Sequence, residues 1–411
     1  MADTERSILC IGASHQTASL AARERFALSG EKGRVLCGEL SAHADVLEVA
    51  SLATCNRSEL YLVAHDVAAV TQVAVAALAR LADAAPEELA TMLVVRSEHE
   101  AVDHLMRTAG GIESVVPGEA QIQGQVRIAH QEAQDAGTCG PVLDRLFRSA
   151  VQLGKRARSE TQIGEGRASV GSVAAELVAS RVGDLGGARI AVIGAGKMGG
   201  LAARSLADRG ARRIDIANRS TERAAAVAAA VGYDAVGVNI AELEQELATC
   251  DAVVSSTNAP HAVITRAKLE NVIEQRQGRP LVLVDLAVPR DIDPACGELP
   301  GVDVFDLDDL ERVVSQTFEV RGDAVAEVEQ MASEATEEFG RWLRAQDATP
   351  AIRAMRERAE EMRAAELERF LARMTHLAAE DRRRIEQLTR SIVNRMLHEP
   401  TVRLREAAER E

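Results

Sequence analysis

Cys55 and Arg57 are the pair of residues in this chain best suited to do chemistry. They lie in Ser51-Leu52-Ala53-Thr54-Cys55-Asn56-Arg57-Ser58-Glu59-Leu60-Tyr61, a polar stretch between apolar, partly β-branched runs at 46–50 and 61–64. Such flanks predict two strands with Cys55 on their connection, and loops held by rigid strands are where reactive groups are displayed. A fixed positive charge beside a thiol favours the thiolate, the form that attacks an acyl carbon. A guanidinium at Arg57 also suits recognition of a carboxylate close to that nucleophile. A lone cysteine is equally compatible with a small buried side chain, so the surrounding elements must decide.

Those elements read as mixed α/β up to about residue 160. Strand patterns cover 7–12, 46–53 and 60–64; helical patterns cover 20–26, 68–81 and 99–108, the last broken by Gly110-Gly111. Helices follow at 120–135 and 141–159. The second carries Arg145, Arg148, Lys155, Arg156 and Arg158 against Asp144, a cluster that fits either RNA phosphates or a solvated helix face.

From 188 the pattern changes. Residues 189–193 read as a buried strand, Gly194-Ala195-Gly196-Lys197-Met198-Gly199 as the turn after it, and 201–209 as a helix. In that setting the first glycine permits a tight turn, the second lets backbone N–H groups approach a pyrophosphate, and the third allows close helix packing. Strands at 213–217, 234–238, 251–256 and 281–286 supply the rest of a dinucleotide-binding sheet. Where an NAD-binding protein presents a carboxylate to the ribose, about 20 residues on, this chain has Asn218-Arg219-Ser220. A carboxylate would repel a 2′-phosphate, whereas this trio would bind one, so NADPH is the expected cofactor.

Beyond Asp306 the sequence reads as helical over 307–345, with the single tryptophan Trp342, then a break at Thr349-Pro350 and helices at 352–378 and 381–398. The stripe Ile385, Leu388, Ile392, Met396 has little core of its own. It fits burial against a second copy or against another helix of the same chain. The 411 residues are 46% hydrophobic and 27% charged, which suits a soluble protein with two or three domains. A formal charge of -15 and an aromatic content of 2% exclude a broad positive field and extensive base stacking, leaving any RNA to a local patch. The cysteines at 10, 37, 55, 139, 250 and 296 lack metal-ligand spacing, so a reducing compartment and no structural metal are expected. With no signal-peptide pattern and no apolar run of membrane-spanning length, the expected location is cytoplasmic.

Thr54-Cys55-Asn56-Arg57 with Ser58-Glu59 resembles the active-site signature of glutamyl-tRNA reductases. The resemblance continues in order through 12–18, His104-Leu105-Met106-Arg107, 118–126, 194–199 and 285–293. It implies a mixed α/β catalytic domain at 1–163, a Rossmann-type NADP-binding domain at 164–306, and a connecting helix with an all-helical dimerisation domain at 307–411. The implied reaction is reduction of glutamyl-tRNA(Glu) to glutamate 1-semialdehyde with NADPH, the first step of 5-aminolevulinate and porphyrin synthesis from glutamate. Cys55 would take the acyl group as a thioester, which can then be reduced to the aldehyde.

Matched residue by residue, Thr54, Asn56, Arg57, Ser114, Glu119, Ala120, Gln121 and Gln125 would line the substrate pocket. Arg57 would meet the substrate carboxylate and Glu119 its ammonium, while His104 would serve as acid, base or positioning group. A homodimer and a transient complex with glutamate-1-semialdehyde aminomutase are implied as well. Ser14, Pro117 and the run Gly111-Ile112-Glu113-Ser114 depart from the usual family residues. Two competing readings are another NADP-dependent oxidoreductase resembling shikimate dehydrogenase, which would not need Cys55, and a non-catalytic dimeric scaffold.

Overall fold

The computed structural model describes residues 6–410 except Ser29, Ala120, 165–168, Tyr233, 318–321 and 375–376. The chain forms two compact units, Met1–Ser333 and Glu334–Glu411. In the first, β1 (Ser7–Ser14), β2 (Val46–Ala53), β3 (Arg57–Ala64) and β4 (Val94–Ser97) form an antiparallel sheet in the order β2-β3-β1-β4. Every residue of β3 is buried. Its period-two alternation sends Leu60, Leu62 and Ala64 into an apolar core with Leu36 and Leu40 of helix Glu31–Ser41 and Val70 and Leu78 of helix Val67–Ala82. Arg57, Glu59 and Tyr61 therefore share the opposite face.

Helices Glu98–Gly110 and Pro141–Glu160 cover that second face, and Tyr61 meets Phe147 edge-on with ring centroids 5.6 Å apart. The longer helix starts with Pro141 at its first turn. Its free N–H groups at Val142 and Leu143 donate to the buried Glu48 carboxylate at 3.0 and 2.7 Å, a long-range cap from β2.

A six-stranded sheet follows: β5 (Arg189–Ile193), β6 (Arg213–Asn218), β7 (Val236–Asn239), β8 (Ala252–Ser255), β9 (Leu281–Asp285) and β10 (Val302–Phe305). Neighbours pair in parallel in the order β10-β9-β8-β5-β6-β7. Strand order reverses at β5, so a crevice opens outside its carboxyl end, the ligand edge of such sheets. Both faces are covered, which is why β8 and β9 read as continuous apolar runs ending in Ser255 and Asp285. The short edge strands β4 and β10, and helices Glu31–Ser41 and Val170–Val182, are not evident from sequence periodicity.

Helices Leu307–Thr317, Gly322–Arg373 and Ala379–Arg410 complete the chain. The expected break at Thr349-Pro350 is absent, since the 52-residue helix runs through both. An interior proline costs about 3 kcal/mol, and the bonds kept on either side of it in so long a helix offset that loss. The expected single helix over 307–345 is instead two helices on either side of 318–321, which lie outside the described residues. Within the second unit, Leu367 and Phe370 face Ile385, Ile392 and Val393 across a groove of about 510 Å³. Met362, Leu388 and Met396 remain exposed.

Candidate active site

Cys55 sits at the middle of a three-residue connection between β2 and β3, as the flanking strands predict. Thr54 N–H donates to Arg57 O at 2.9 Å and Asn56 N–H to Thr54 Oγ1 at 3.1 Å, closing the hairpin tightly. His15 N–H holds Asn56 O at 2.8 Å from the end of β1. The thiol is half-buried and packs against the apolar cluster of the parallel-sheet region, as do Ala195, Met198 and Val288. Burial, followed by the charge of Glu119, pushes it up to about 12, against the opposing pull of Arg23 and Arg57.

The expectation that Arg57 lies open beside the thiol and favours its thiolate needs correcting. Its guanidinium is 2% exposed and turned into the fold. Nη1 donates to Glu59 Oε1 at 2.9 Å and lies 3.3 Å from His104 Nε2, while Nη2 donates to Glu113 O at 2.5 Å. Glu59, two residues along β3 and so on the same face, neutralises the charge locally. Its carboxyl also meets His104 Nε2 at 2.8 Å and the Tyr61 hydroxyl at 2.9 Å. Burial opposes ionisation of Glu59, but Arg57 and then His104 outweigh it and bring the carboxyl down to about 2. Cys10, Glu59 and His104 bring three potential metal-ligand atoms within 4.8 Å of one another, yet Arg57 already occupies the carboxylate they would share. Two buried polar atoms of the signature have no partner among the described residues: Asn56 Oδ1 and Arg57 Nε.

The remaining expected pocket residues are distributed around this hairpin. Glu113 is paired with Arg107 at 2.8 Å, and its carbonyl bond to Arg57 anchors the segment that carries the half-buried Ser114. Glu119 is buried, and burial raises its carboxyl to about 7 against the charge of Lys197. Ala120 falls outside the described residues. Gln121 opens helix Gln121–Asp135 and donates to Met198 Sδ at 3.6 Å, a direct bridge to the glycine turn. Gln125, one turn further, lines a separate groove of about 190 Å³ with Ser51 and Ala53.

The glycine turn follows β5 at the switch point. Gly194 has φ +105°, a conformation that side chains rarely adopt, and a Cβ on Gly199 would stand 2.1 Å from Gly194 O. Gly196 has nothing within 4 Å of its Cβ direction, leaving room for a phosphate at the start of helix Lys197–Asp208. Ala195 N–H reaches Asn218 Oδ1 at 3.5 Å, tying the turn to the end of β6. A cleft of about 770 Å³ opens here, lined by Gly194, Ala195, Gly196, Asn218, Arg219 and Arg223 among others. Its shape and donors fit a dinucleotide. The Ser220 hydroxyl is occupied capping helix Thr221–Val231 through Arg223 N–H at 3.3 Å and donating to Glu222 at 2.8 Å. Lys197 and Met198 interact with Glu119 and Gln121 on the thiol side.

Residues 11–161 match the family model for the N-terminal domain of glutamyl-tRNAGlu reductase, and 327–411 its dimerisation domain. Between them, 176–313 match the shikimate / quinate 5-dehydrogenase model. The glutamyl-tRNA reductase of Chloroflexus aggregans is 41% identical over 417 residues, covering 98% of this chain and 91% of that protein. That of Rubrobacter xylanophilus is 41% identical over 393 residues, covering 96% and 90%. The chain belongs to the glutamyl-tRNA reductase family. A solved glutamyl-tRNA reductase from Methanopyrus kandleri is 30% identical and covers 98% of each chain, with a TM-score of 0.48. The dehydrogenase-like part thus forms one segment of a glutamyl-tRNA reductase chain and not a separate dehydrogenase. Among residues missed by sequence reasoning, Glu59 had a signal in its two-residue spacing from Arg57, and Arg223 in its position one helical turn from Arg219. Arg23 had none.

Proposed function

We propose that this enzyme reduces the glutamyl group of glutamyl-tRNA(Glu) to glutamate 1-semialdehyde, with Cys55 as acyl acceptor, as the first step of 5-aminolevulinate and porphyrin synthesis. One observation carries the reading: Cys55 packs against the same apolar cluster as Ala195 and Met198 of the glycine turn. A nucleophile and a dinucleotide cradle so close together suit an acyl group captured at one and reduced beside the other. The Cys55 sulfur attacks the ester carbonyl carbon, the bond to the ribose oxygen breaks, and the leaving hydroxyl takes up the thiol's proton.

The thiol is not activated in the free enzyme, and Glu119 is part of the reason. A substrate ammonium beside Glu119 would cancel the charge that opposes the thiolate, so binding itself prepares the nucleophile. The unpartnered Arg57 Nε and Asn56 Oδ1 are the polar atoms a substrate would complete, Nε as donor to the glutamyl carboxylate. Leaving such buried groups unpaired costs about 1–3 kcal/mol each, which penalises an analogue without the matching group. His104, held between Glu59 and Arg57, positions this network beneath the hairpin. Thr54 shapes the turn, and Ser114, Ala120, Gln121 and Gln125 form the surrounding wall in this reading.

NADPH bound in the cleft at Gly194–Gly199 would supply the hydride. Gly194, Ala195, Gly196 and Asn218 would hold its pyrophosphate and ribose, and Arg219 with Arg223 its 2′-phosphate, with Ser220 keeping that corner rigid. The three-part division at 1–163, 164–306 and 307–411 follows the two sheets and the helical end.

The test is a quench with radiolabelled glutamyl-tRNA in the absence of NADPH. Label should appear on the wild-type protein and be absent from Cys55→Ser; equal labelling of both would refute the thioester. The exposed stripe at Leu388, Ile392 and Met396 supports a homodimer through the C-terminal helices, which sedimentation would contradict by showing monomers only. No described helix is long and apolar enough to cross a membrane, which is compatible with the cytoplasmic location that fractionation would check. Handover of the reactive aldehyde to the aminomutase is expected too, and free release of aldehyde in a mixture of the two proteins would argue against it.

A further inference from the structure

We propose that Arg23 is a positioning residue for the nucleophile, one guanidinium that grips the Cys55 carbonyl and Asp308 together. The inference rests on the reading of Cys55 as acyl acceptor. Arg23 lies in helix Leu20–Arg25 and is 2% exposed. All three of its nitrogens are engaged: Nε donates to Ala18 O at 3.2 Å, Nη1 to Cys55 O at 2.5 Å and Nη2 to Asp308 Oδ1 at 2.6 Å. The second Asp308 oxygen accepts Leu20 N–H at 3.0 Å.

Asp308 stands in the first turn of helix Leu307–Thr317, which follows β10 of the parallel sheet. The hairpin that carries the thiol is therefore braced by an element from the cofactor side of the molecule. A second link has the same form. His15, whose N–H holds Asn56 O, places its ring Nε2 3.5 Å from Glu311 Oε1, one position past a turn along that helix from Asp308. The next residue, Glu24, makes a contact of opposite polarity. It receives the Arg290 backbone N–H, Nε and Nη2 at distances from 2.5 to 3.1 Å, and Arg290 follows β9.

A buried guanidinium is costly unless every bond is made, and this one spends one of its bonds on the peptide of the reacting residue. Displacing that carbonyl displaces the sulfur, and misplacement of about 1 Å at a reacting centre costs about 10²-fold in rate.

The experiment uses full-length Arg23→Gln, Arg23→Lys and Asp308→Asn proteins with radiolabelled glutamyl-tRNA and no NADPH. Label on Cys55 should accumulate about 100-fold more slowly in Arg23→Gln and about tenfold more slowly in Asp308→Asn, with Arg23→Lys partly restored. The pH profile of Cys55 alkylation by iodoacetamide should move upward in Arg23→Gln and return in Arg23→Lys, because the Arg23 charge favours the thiolate. A brace that served only the fold would leave that profile in place. Asp308 is part-exposed, so its asparagine variant decides the matter should Arg23→Gln fail to fold. Wild-type labelling of Cys55→Ser would overturn the cysteine reading and this role with it. Label confined to Cys55 but accumulating at the wild-type rate in Asp308→Asn would overturn the positioning role alone.

Discussion

The Cys55 hairpin and the Gly194 turn are both connections leaving the end of a buried strand, yet they are built in opposite ways. The glycine turn is a local object: a positive φ at Gly194, free space at Gly196 and a close approach at Gly199 are all set within six residues. The hairpin depends on distant charges, since Arg57, Glu59, His104, Glu113 and Arg23 arrive from separate elements. A backbone cradle is thus specified by short-range sterics, whereas a reactive thiol is specified by the assembled fold.

The sharpest way to break this contrast is Glu59→Gln. It leaves the buried Arg57 and His104 without their carboxylate, and removing one member of such a pair costs about 3–5 kcal/mol. Urea unfolding should show that loss. The wild-type Glu59 carboxyl lies at about 2, below its ordinary 4.5, so its contribution is complete above 4.5 and drains away as pH falls towards 2. The glutamine variant should lose that acid slope; an unchanged slope would mean that the network is not what holds β3 at low pH.

Next in size is Gly199→Ala, whose new Cβ would meet Gly194 O at 2.1 Å and cost about 1–3 kcal/mol. NADPH binding should weaken, while labelling of Cys55 by charged tRNA without NADPH keeps its rate. Equal damage to both would show that the turn is not an independent object. A smaller effect is expected from Arg219→Ala: fluorescence titration should find NADPH weakened about tenfold with NADH little changed. Glu119→Gln should give the smallest change. Removing its charge shifts Cys55 alkylation to lower pH in the free enzyme, since that charge raises the thiol, and a shift the other way would contradict the account of substrate-prepared activation.

How much was legible in the sequence follows the same divide. The glycine turn, β5 and the Asn218-Arg219 strand end were readable because neighbouring residues alone determine them. The strands around Cys55 were readable from their apolar runs, but the state of Arg57 was not. Its orientation depends on β3 being buried on both faces, and on a histidine that arrives from helix Glu98–Gly110. The strand alternation that pairs Arg57 with Glu59 was present, and reading it would have placed the guanidinium inward. Pro350 misled for a different reason, because a local penalty was weighed without the length of helix that offsets it.

The hairpin has one further consequence. Cys55 is held by a three-residue connection closed on itself and gripped at the carbonyls on both sides of the Cys55–Asn56 peptide. The sulfur has no slack with which to travel. Whatever distances are covered during a catalytic cycle must be covered by its visitors, the charged tRNA end and the reducing nucleotide, with the thiol as the fixed mark at which both must arrive.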